Sequence, residues 1–378
     1  MNAPAADVLA VCPQCTREFR VPGKLAGRRV PCPHCRRLIE IQVSAGSEDK
    51  LVGKVLGGCR LVRRLGSGSL GVVYQAEQVA MSRQVAMKML SSKAAGDPQL
   101  VARFQREAKI CAQIKHPHVV GVFDCGFDRG VHFLTMEFVD GTTLAGLVEE
   151  HGLLPWQQAS QHIRQVAQAL DHVASLNIVH RDIKPANILV SAAGEAKLAD
   201  LGLAKHLEGE GNGEMGLTMQ GVAMGSPAYM APEQVRNARD AGKAADIYSL
   251  GATFYHLLAG VPPFEGRNGT DVMSKVLRDE PRLLTVLVPS VPPAIASLVH
   301  RMLAKDIAER PQDAAELIAE IDAALAAPSQ VRARRARAKT DAHRGAGPQR
   351  TGKIMLIIGG GVLTVVVGVV VWALTRTP

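Results

Sequence analysis

From residue 59 to about residue 325 the apolar positions switch repeatedly between a period of two and a period near 3.6, the marks of strand and helix. The stretch LVRRLGSGSLGVVY, residues 61–74, sets Gly66, Gly68 and Gly71 between two apolar runs. Val72, Val73 and Tyr74 are strand formers rather than the start of a helix, so the glycines are expected in a hairpin. Val85-Ala86-Met87-Lys88 continues as a strand that carries Ala86 and Lys88 on one face. Asp97 and Pro98 fit the cap and first turn of a helix whose apolar stripe runs Leu100, Phe104, Ala108, Cys111, Ile114. A second helix is expected over about 155–175, with Ile163, Val166, Ala167, Leu170 and Val173 inward. A third runs from Asp246 to Leu258 and is closed by Gly260.

The pattern changes at the end of the chain. Residues 354–374, IMLIIGGGVLTVVVGVVVWAL, are 21 consecutive residues without a charge. About 20 such residues span the hydrocarbon core of a bilayer as a helix. Trp372 falls near one end, where an interfacial aromatic is common. The preceding stretch, 326–353, is Ala/Arg-rich and reads as a basic juxtamembrane linker. By the positive-inside rule this places residues 1–353 in the cytoplasm of a single-pass inner-membrane protein, with no extracytoplasmic domain beyond the anchor. The N-terminus, MNAPAADVLAVCPQC, has neither a basic n-region nor an apolar h-region, so no secretory signal peptide is expected.

Composition narrows the class. Of 378 residues, 47% are apolar and 21% charged, which suits globular domains and excludes wholesale disorder. Seven cysteines are too few for a disulfide-stapled secreted scaffold. The net charge of +9 is carried by the flanks: residues 331–353 hold eight basic side chains against one acidic, and residues 1–45 seven against three. The large middle is slightly acidic, which argues against a nucleic-acid-binding core.

Cys12-Pro-Gln-Cys15 and Cys32-Pro-His-Cys35 are two CxxC pairs 16 residues apart, the spacing of a four-thiolate structural zinc ribbon over residues 1–45. FRVPGKLAGRRVPC, between them, has the alternation and turn glycines of a short hairpin. Residues 46–58 would then be a linker. A nucleic-acid role for the ribbon lacks an aromatic platform beyond Phe19.

A glycine hairpin lets backbone amides approach phosphates without interference from Cβ. Lys88 and Glu107 make sense together, because an ion pair would fix the ammonium against phosphate oxygens. Further along stand His180-Arg181-Asp182-Ile183-Lys184-Pro185-Ala186-Asn187, Asp200-Leu201-Gly202, Ala231-Pro232-Glu233, Asp246 in DIYSLG and Arg310 after Glu309. Together, in this order, they resemble the motifs of eukaryotic-type protein kinases, of the serine/threonine class found in bacteria. The resemblance covers about residues 59–325. It implies an α+β, bilobal fold: a small antiparallel β-sheet lobe over about 59–137 and a mainly helical lobe over about 140–325.

By the same resemblance the substrate is ATP with Mg2+ (or Mn2+), and the acceptors are Ser/Thr hydroxyls of proteins. Asp182 orients the hydroxyl and takes its proton, Lys184 contacts the γ-phosphate, and Asn187 and Asp200 hold the metal. Leu65, Gly66, Ser67, Gly68, Ser69, Leu70, Gly71, Val72 and Val73 cover the nucleotide. Lys88 contacts its α/β-phosphates, steadied by Glu107. Glu137, Phe138 and Val139 form the hinge that reads adenine, with Met136 just inside and Leu65, Val73 and Ala86 sandwiching the base. Leu201 stands where the family usually has Phe and keeps an apolar plug behind the metal site. Asp246 and an Arg310–Glu233 ion pair are structural, and His180 is a packing residue rather than a base. Thr218 is the phosphosite candidate, Arg181 the partner for its phosphate, and Ser226 a contact of Lys184 and Asp182. Dimerisation would serve autophosphorylation in trans. The alternative reading is a nucleotide-binding pseudokinase scaffold recruited through its ribbon.

Overall fold

The computed structural model describes residues 8–11, 18–21, 29–32, 35, 37–40, 49–68, 71–201, 227–237 and 240–326. All of them belong to the compact unit Met1–Ala327. Cys12, Cys15, Ser69, Leu70, Gly202, Thr218, Ser226 and the apolar stretch 354–374 lie outside the described residues.

Strand β1 (Val8–Val11) pairs antiparallel with β2 (Glu18–Val21), and β3 (Arg29–Pro31) with β4 (Leu38–Glu40). Among the described residues the pairing is therefore not the hairpin expected between the cysteine pairs: β1 and β2 lie on either side of the first pair in the sequence, and β3 and β4 on either side of the second. The Cys32 amide donates to the Arg37 carbonyl at 2.9 Å and closes the second turn.

A six-stranded antiparallel sheet follows, in the order β5 (Val55–Leu56), β6 (Cys59–Gly68), β7 (Gly71–Gln78), β8 (Arg83–Leu90), β10 (Val131–Glu137), β9 (Val122–Asp128). The period of two divides β8 cleanly. Val85, Met87 and Met89 enter a core with Leu61, Tyr74 and Phe133 on one face of the sheet. Ala86 and Leu90 enter another with Phe104 and Ala108 of helix α2 (Pro98–Cys111). Between β8 and α2 lies the short helix α1 (Ser92–Ala95). Asp97 caps α2 as expected, its Oδ1 accepting from the amides of Gln99 and Leu100 at 2.9 and 3.4 Å.

Part of the stretch 46–58, expected as a linker, joins this sheet. Strand β5 pairs with β6, and Tyr74 donates its hydroxyl to Asp49 Oδ2 at 2.6 Å.

The second lobe begins with β11 (Gly141–Thr143) and α3 (Leu144–His151). Helix α4 (Trp156–Ser175) follows, and β12 (Ile188–Ser191) and β13 (Ala196–Leu198) complete a small sheet in the order β11-β12-β13. Then come α5 (Pro232–Arg236), α6 (Lys243–Ala259), α7 (Gly269–Arg278), α8 (Leu284–Leu287), α9 (Pro293–Met302) and α10 over 314–326. Helix α6 is buried without a break from Ala245 to Tyr255, so it has no solvent face and the other helices pack around it. A Cβ on its Gly251 would stand 2.5 Å from Met302 Cβ, which shows how closely α9 lies against it. Gly260 ends α6 at φ +74°, the left-handed cap that its sequence position predicts.

Candidate active site

The site is assembled on the loop between α4 and β12. Arg181 in that loop has φ +62°, a conformation that costs a non-glycine residue free energy. Buried Asp246, in the first turn of α6, compensates: its Oδ2 accepts from the His180 amide at 2.7 Å and its Oδ1 from the Arg181 amide at 2.8 Å. His180 is fully buried. Its Nε2 donates to the Ala199 carbonyl at 3.0 Å, and its Nδ1 accepts from the Asp182 amide at 3.2 Å. The imidazole thus braces the Asp182 backbone, and it is a packing residue as expected.

Asp182 follows in the loop, its side chain 17% exposed. Its Oδ2 accepts from Lys184 Nζ at 2.8 Å and from Asn187 Nδ2 at 2.9 Å. Asn187 Nδ2 also donates to the Asp182 carbonyl at 2.8 Å, which turns the Asn187 amide oxygen away from Asp182. The Ala199 amide donates to the Asn187 carbonyl at 2.9 Å and carries the chain directly to Asp200. Asp200 stands at φ +56°, a second backbone outlier at this site. Leu201 is buried in the main core, the apolar plug expected there, and its carbonyl accepts from Cys111 Sγ of α2 at 3.9 Å.

Lys88 reaches across from β8. Its Nζ lies 2.7 Å from Asp200 Oδ1, with the Lys88 side chain 13% exposed and that of Asp200 41% exposed. Burial works to raise the Asp200 pKa, but the charge and hydrogen bond of Lys88 outweigh it, and the carboxyl is held below its ordinary value. The expected partner, Glu107, is passed over. Its Oε2 is buried with no hydrogen-bond partner among the described residues. Burial pushes the Glu107 pKa up to about 7 despite the nearby charges of Arg103, Lys88 and Arg106. Lys88 goes to the carboxylate whose pKa is held down, while Glu107, with its pKa pushed up to about 7, is only partly ionised at neutral pH.

Beside the loop lies an apolar cluster. Ala86, Leu134 and Met136 are buried there, with Val73, Val139, Leu189 and Ala199 packed against them. Val73, Ala86, Met136 and Val139, expected around the base, thus share one cluster with Leu189 and Ala199, which were not expected there. The signal was present: Leu189 lies two residues past Asn187 in an apolar strand, and Ala199 directly precedes Asp200. Leu65, by contrast, is 40% exposed on β6. Gly68 and Gly71 face each other in the β6–β7 register, so the glycines do form a hairpin. Glu137 turns its carboxylate to the rear of the hinge, 2.8 Å from Lys197 Nζ.

The segment after residue 226 is locked onto this loop. Arg310 NH1 and NH2 donate to Glu233 Oε1 and Oε2 at 2.7 and 2.9 Å, a fully buried two-pronged pair. Gln234 Nε2 donates to the Arg181 carbonyl at 2.9 Å.

Two lysines, Lys88 and Lys184, with the carbonyl-bearing side chains Asp182, Asn187 and Asp200 are suited to a polyphosphate with its cations. The sequence matches the family described as "Protein kinase domain" over residues 59–321, and the chain belongs to that family. It is 35% identical over 272 residues to a probable serine/threonine-protein kinase PknB of Lactococcus lactis, covering 71% of this chain and 42% of that protein. It is also 35% identical over 282 residues to the serine/threonine-protein kinase PknL of Mycobacterium tuberculosis, covering 74% of this chain and 69% of the relative. Serine/threonine-protein kinase PrkC of Bacillus subtilis is 34% identical over 276 residues, and the match again spans 42% of its length. Among solved structures, the Mycobacterium tuberculosis PknI kinase domain superposes with a TM-score of 0.57 at 28% identity, covering 71% of this chain and 96% of that one.

Proposed function

We propose that this protein transfers the γ-phosphoryl group of ATP to serine and threonine hydroxyls of proteins. The observation that carries the reading is Asp182 bonded by Lys184 at 2.8 Å and by Asn187 at 2.9 Å, together with the Lys88–Asp200 pair at 2.7 Å. Asp182 orients the acceptor hydroxyl and takes its proton as the new P–O bond forms; the bond from the γ-phosphorus to the bridging oxygen breaks, and ADP leaves. Lys184, already on Asp182, follows the γ-phosphoryl with its charge. Lys88 leaves Asp200 for the α/β-phosphates. The apolar cluster of Val73, Ala86, Met136 and Leu189 takes the adenine. The donor set fits Mg2+ or Mn2+, since the Asn187 amide oxygen and the Asp200 carboxylate are hard oxygen ligands; the bound ion offsets phosphate charge. Such a site works by positioning and electrostatics.

The pseudokinase reading requires the loss of Lys88, Asp182, Asn187 or Asp200, and all four are present. The test is incubation of the purified chain with labelled ATP beside Asp182→Asn, with modified residues mapped by mass spectrometry. Transfer should fall by a factor of about 10²–10⁴ in the variant; undiminished transfer would refute the role given to Asp182.

Two flanking modules belong to the same proposal. Residues 1–45 hold a structural Zn2+ through Cys12, Cys15, Cys32 and Cys35, a reading supported by their spacing and by the hairpin that flanks each pair. Residues 354–374 anchor the chain in the inner membrane with the catalytic domain in the cytoplasm, supported by their uncharged length and the basic run before them. Among the described residues no helix is long and apolar enough to cross a membrane. Deletion of 354–378 should move the protein to the soluble fraction. Thr218 is the proposed activating phosphosite, with dimerisation as the route to its modification.

A further inference from the structure

A cavity of about 490 Å³ opens in the helical lobe and shares no lining residue with the nucleotide site. Its wall includes Glu280, Ser297, Lys305, Asp306 and Glu309. Lys305 follows α9 and is partly buried. Its Nζ donates to the Val276 carbonyl, in the last turn of α7, at 2.8 Å. It also stands 4.3 Å from the centre of the Phe264 ring, between α6 and α7, and 6.0 Å from that of Tyr248 on α6. A cation there caps the end of α7 and meets the negative faces of the rings. Lys305 is thus a charged peg that ties α7 and Phe264 to the segment after α9.

A carbonyl and two rings compensate a half-buried charge only in part. Burial pulls the Lys305 pKa down to about 8; Glu280 and Asp279 act the other way, and Arg310 adds to the fall. About half of the amine is therefore neutral at pH 8, against under about 1% of an ordinary lysine. A desolvated neutral lysine is a nucleophile. It keeps two hydrogens, enough for the Val276 carbonyl and the Phe264 face, and has a lone pair with which to attack. The carboxylates of Glu280, Asp306 and Glu309 on the cavity wall disfavour an anionic electrophile, whereas the uncharged carbonyl of a thioester meets no such barrier.

We infer that Lys305 is an acylation site: the cavity admits an acyl thioester, the acyl group passes to Lys305 Nζ, and the neutral amide that results loosens the end of α7. Nζ adds to the thioester carbonyl carbon and forms the new C–N bond. The C–S bond breaks, and the sulfur leaves with its electron pair and takes up the proton that the nitrogen sheds. The inference goes beyond the phosphoryl transfer proposed above and does not depend on it.

The test treats the full chain with S-acetyl-N-acetylcysteamine, an uncharged thioester, and follows acetylation of Lys305 by mass spectrometry between pH 6 and pH 10. The same chain in concentrated urea is the reference. At pH 8 Lys305 should react about tenfold faster in the folded chain than in the unfolded one. Its rate should level off above about pH 8 when folded and keep rising to about pH 10 when unfolded. A folded rate no greater than the unfolded one, or one still climbing at pH 10, would overturn the inference. Lys305→Gln, a neutral stand-in for the amide, should lower the melting temperature by about 2–4 °C, and Lys305→Arg should recover most of that loss. A glutamine variant as stable as wild type would overturn the loosening of α7, and if that variant does not fold, the acetylation rates of the wild-type chain decide.

Discussion

Lys88 Nζ sits 2.7 Å from Asp200 Oδ1, while the carboxyl of Glu107 keeps a buried oxygen without a partner among the described residues. The fold thus places a salt bridge on one acid and leaves the other, its pKa pushed up to about 7, partly protonated at neutral pH. Glu107 binds its proton more tightly in this fold, near pH 7, than its ordinary value of 4.5 allows when unfolded. Its contribution is present below about 4.5 and is lost as pH rises through about 7. Glu107→Gln keeps the neutral shape at every pH. It should flatten the fall in thermal stability between pH 5 and 8 and raise the melting temperature at pH 8 by about 2–4 °C. Melting curves over that range check it; an unchanged slope would mean that Glu107 is already ionised.

Gly71 carries a sharp steric demand. A Cβ there would stand 1.8 Å from the Met89 carbonyl oxygen, a backbone atom of β8 that cannot turn aside. Gly71→Ala should part the end of β7 from β8 at a cost of about 1–3 kcal/mol and weaken ATP binding about tenfold or more. At Gly66 and Gly68 the added carbon would meet nothing within 4 Å. Alanine at those two positions should leave the melting temperature unchanged, and any loss should appear only when nucleotide is titrated. Binding of a fluorescent ATP analogue separates the two classes.

The Arg310–Glu233 pair is a buried ion pair of the second lobe, with the Arg310 residue 1% exposed. Arg310→Ala leaves a buried carboxylate without its counter-charge and should cost about 3–5 kcal/mol. Burial acts to raise the Glu233 pKa, but Arg310 outweighs it and holds the carboxyl below its ordinary value. The stabilisation is therefore full above the unfolded value of 4.5 and is lost as pH falls through the folded one. The acid limb of the unfolding curve should move to higher pH in the variant, as circular dichroism can follow.

The cysteine module can be weighed directly. Native mass spectrometry of the full chain should find one zinc ion, lost on strong chelation or in Cys12→Ser. A mass equal to the bare polypeptide before chelation would count against the four-thiolate assignment.

Much of this molecule was legible in its sequence because local rules and tertiary demands agreed. The Asp97 cap, the buried stripe of α4 and the Gly260 terminus follow from propensity and period, and packing had no reason to override them. Asp246, His180 and the Arg310–Glu233 pair stand in the motifs that point to them. Pairing was less legible. Glu107 lies in the right place for Lys88, yet the choice between two carboxylates depends on their relative burial, which no spacing reveals. Of the four strands around the cysteines, β2 and β3 lie in the stretch read as a hairpin while β1 and β4 were not read, and their partners depend on where the chain reverses. Tyr229 and His256 are 27 residues apart with no periodic relation, so only the packing of Tyr229 on α6 shows them as a pair.

Helix α6 carries Asp246 at one end, Gly251 in the middle and His256 near the other, each fixed to a different neighbour. Successive residues of a helix differ by about 100° in direction, so the three contacts hold only in one phase of the screw. Adding a single residue between Ser249 and Gly251 would keep the sequence apolar and the rod straight. It would nonetheless swing His256 away from Tyr229 and drive a new side chain into α9, making this helix tolerant of substitution in volume but intolerant of any change in count.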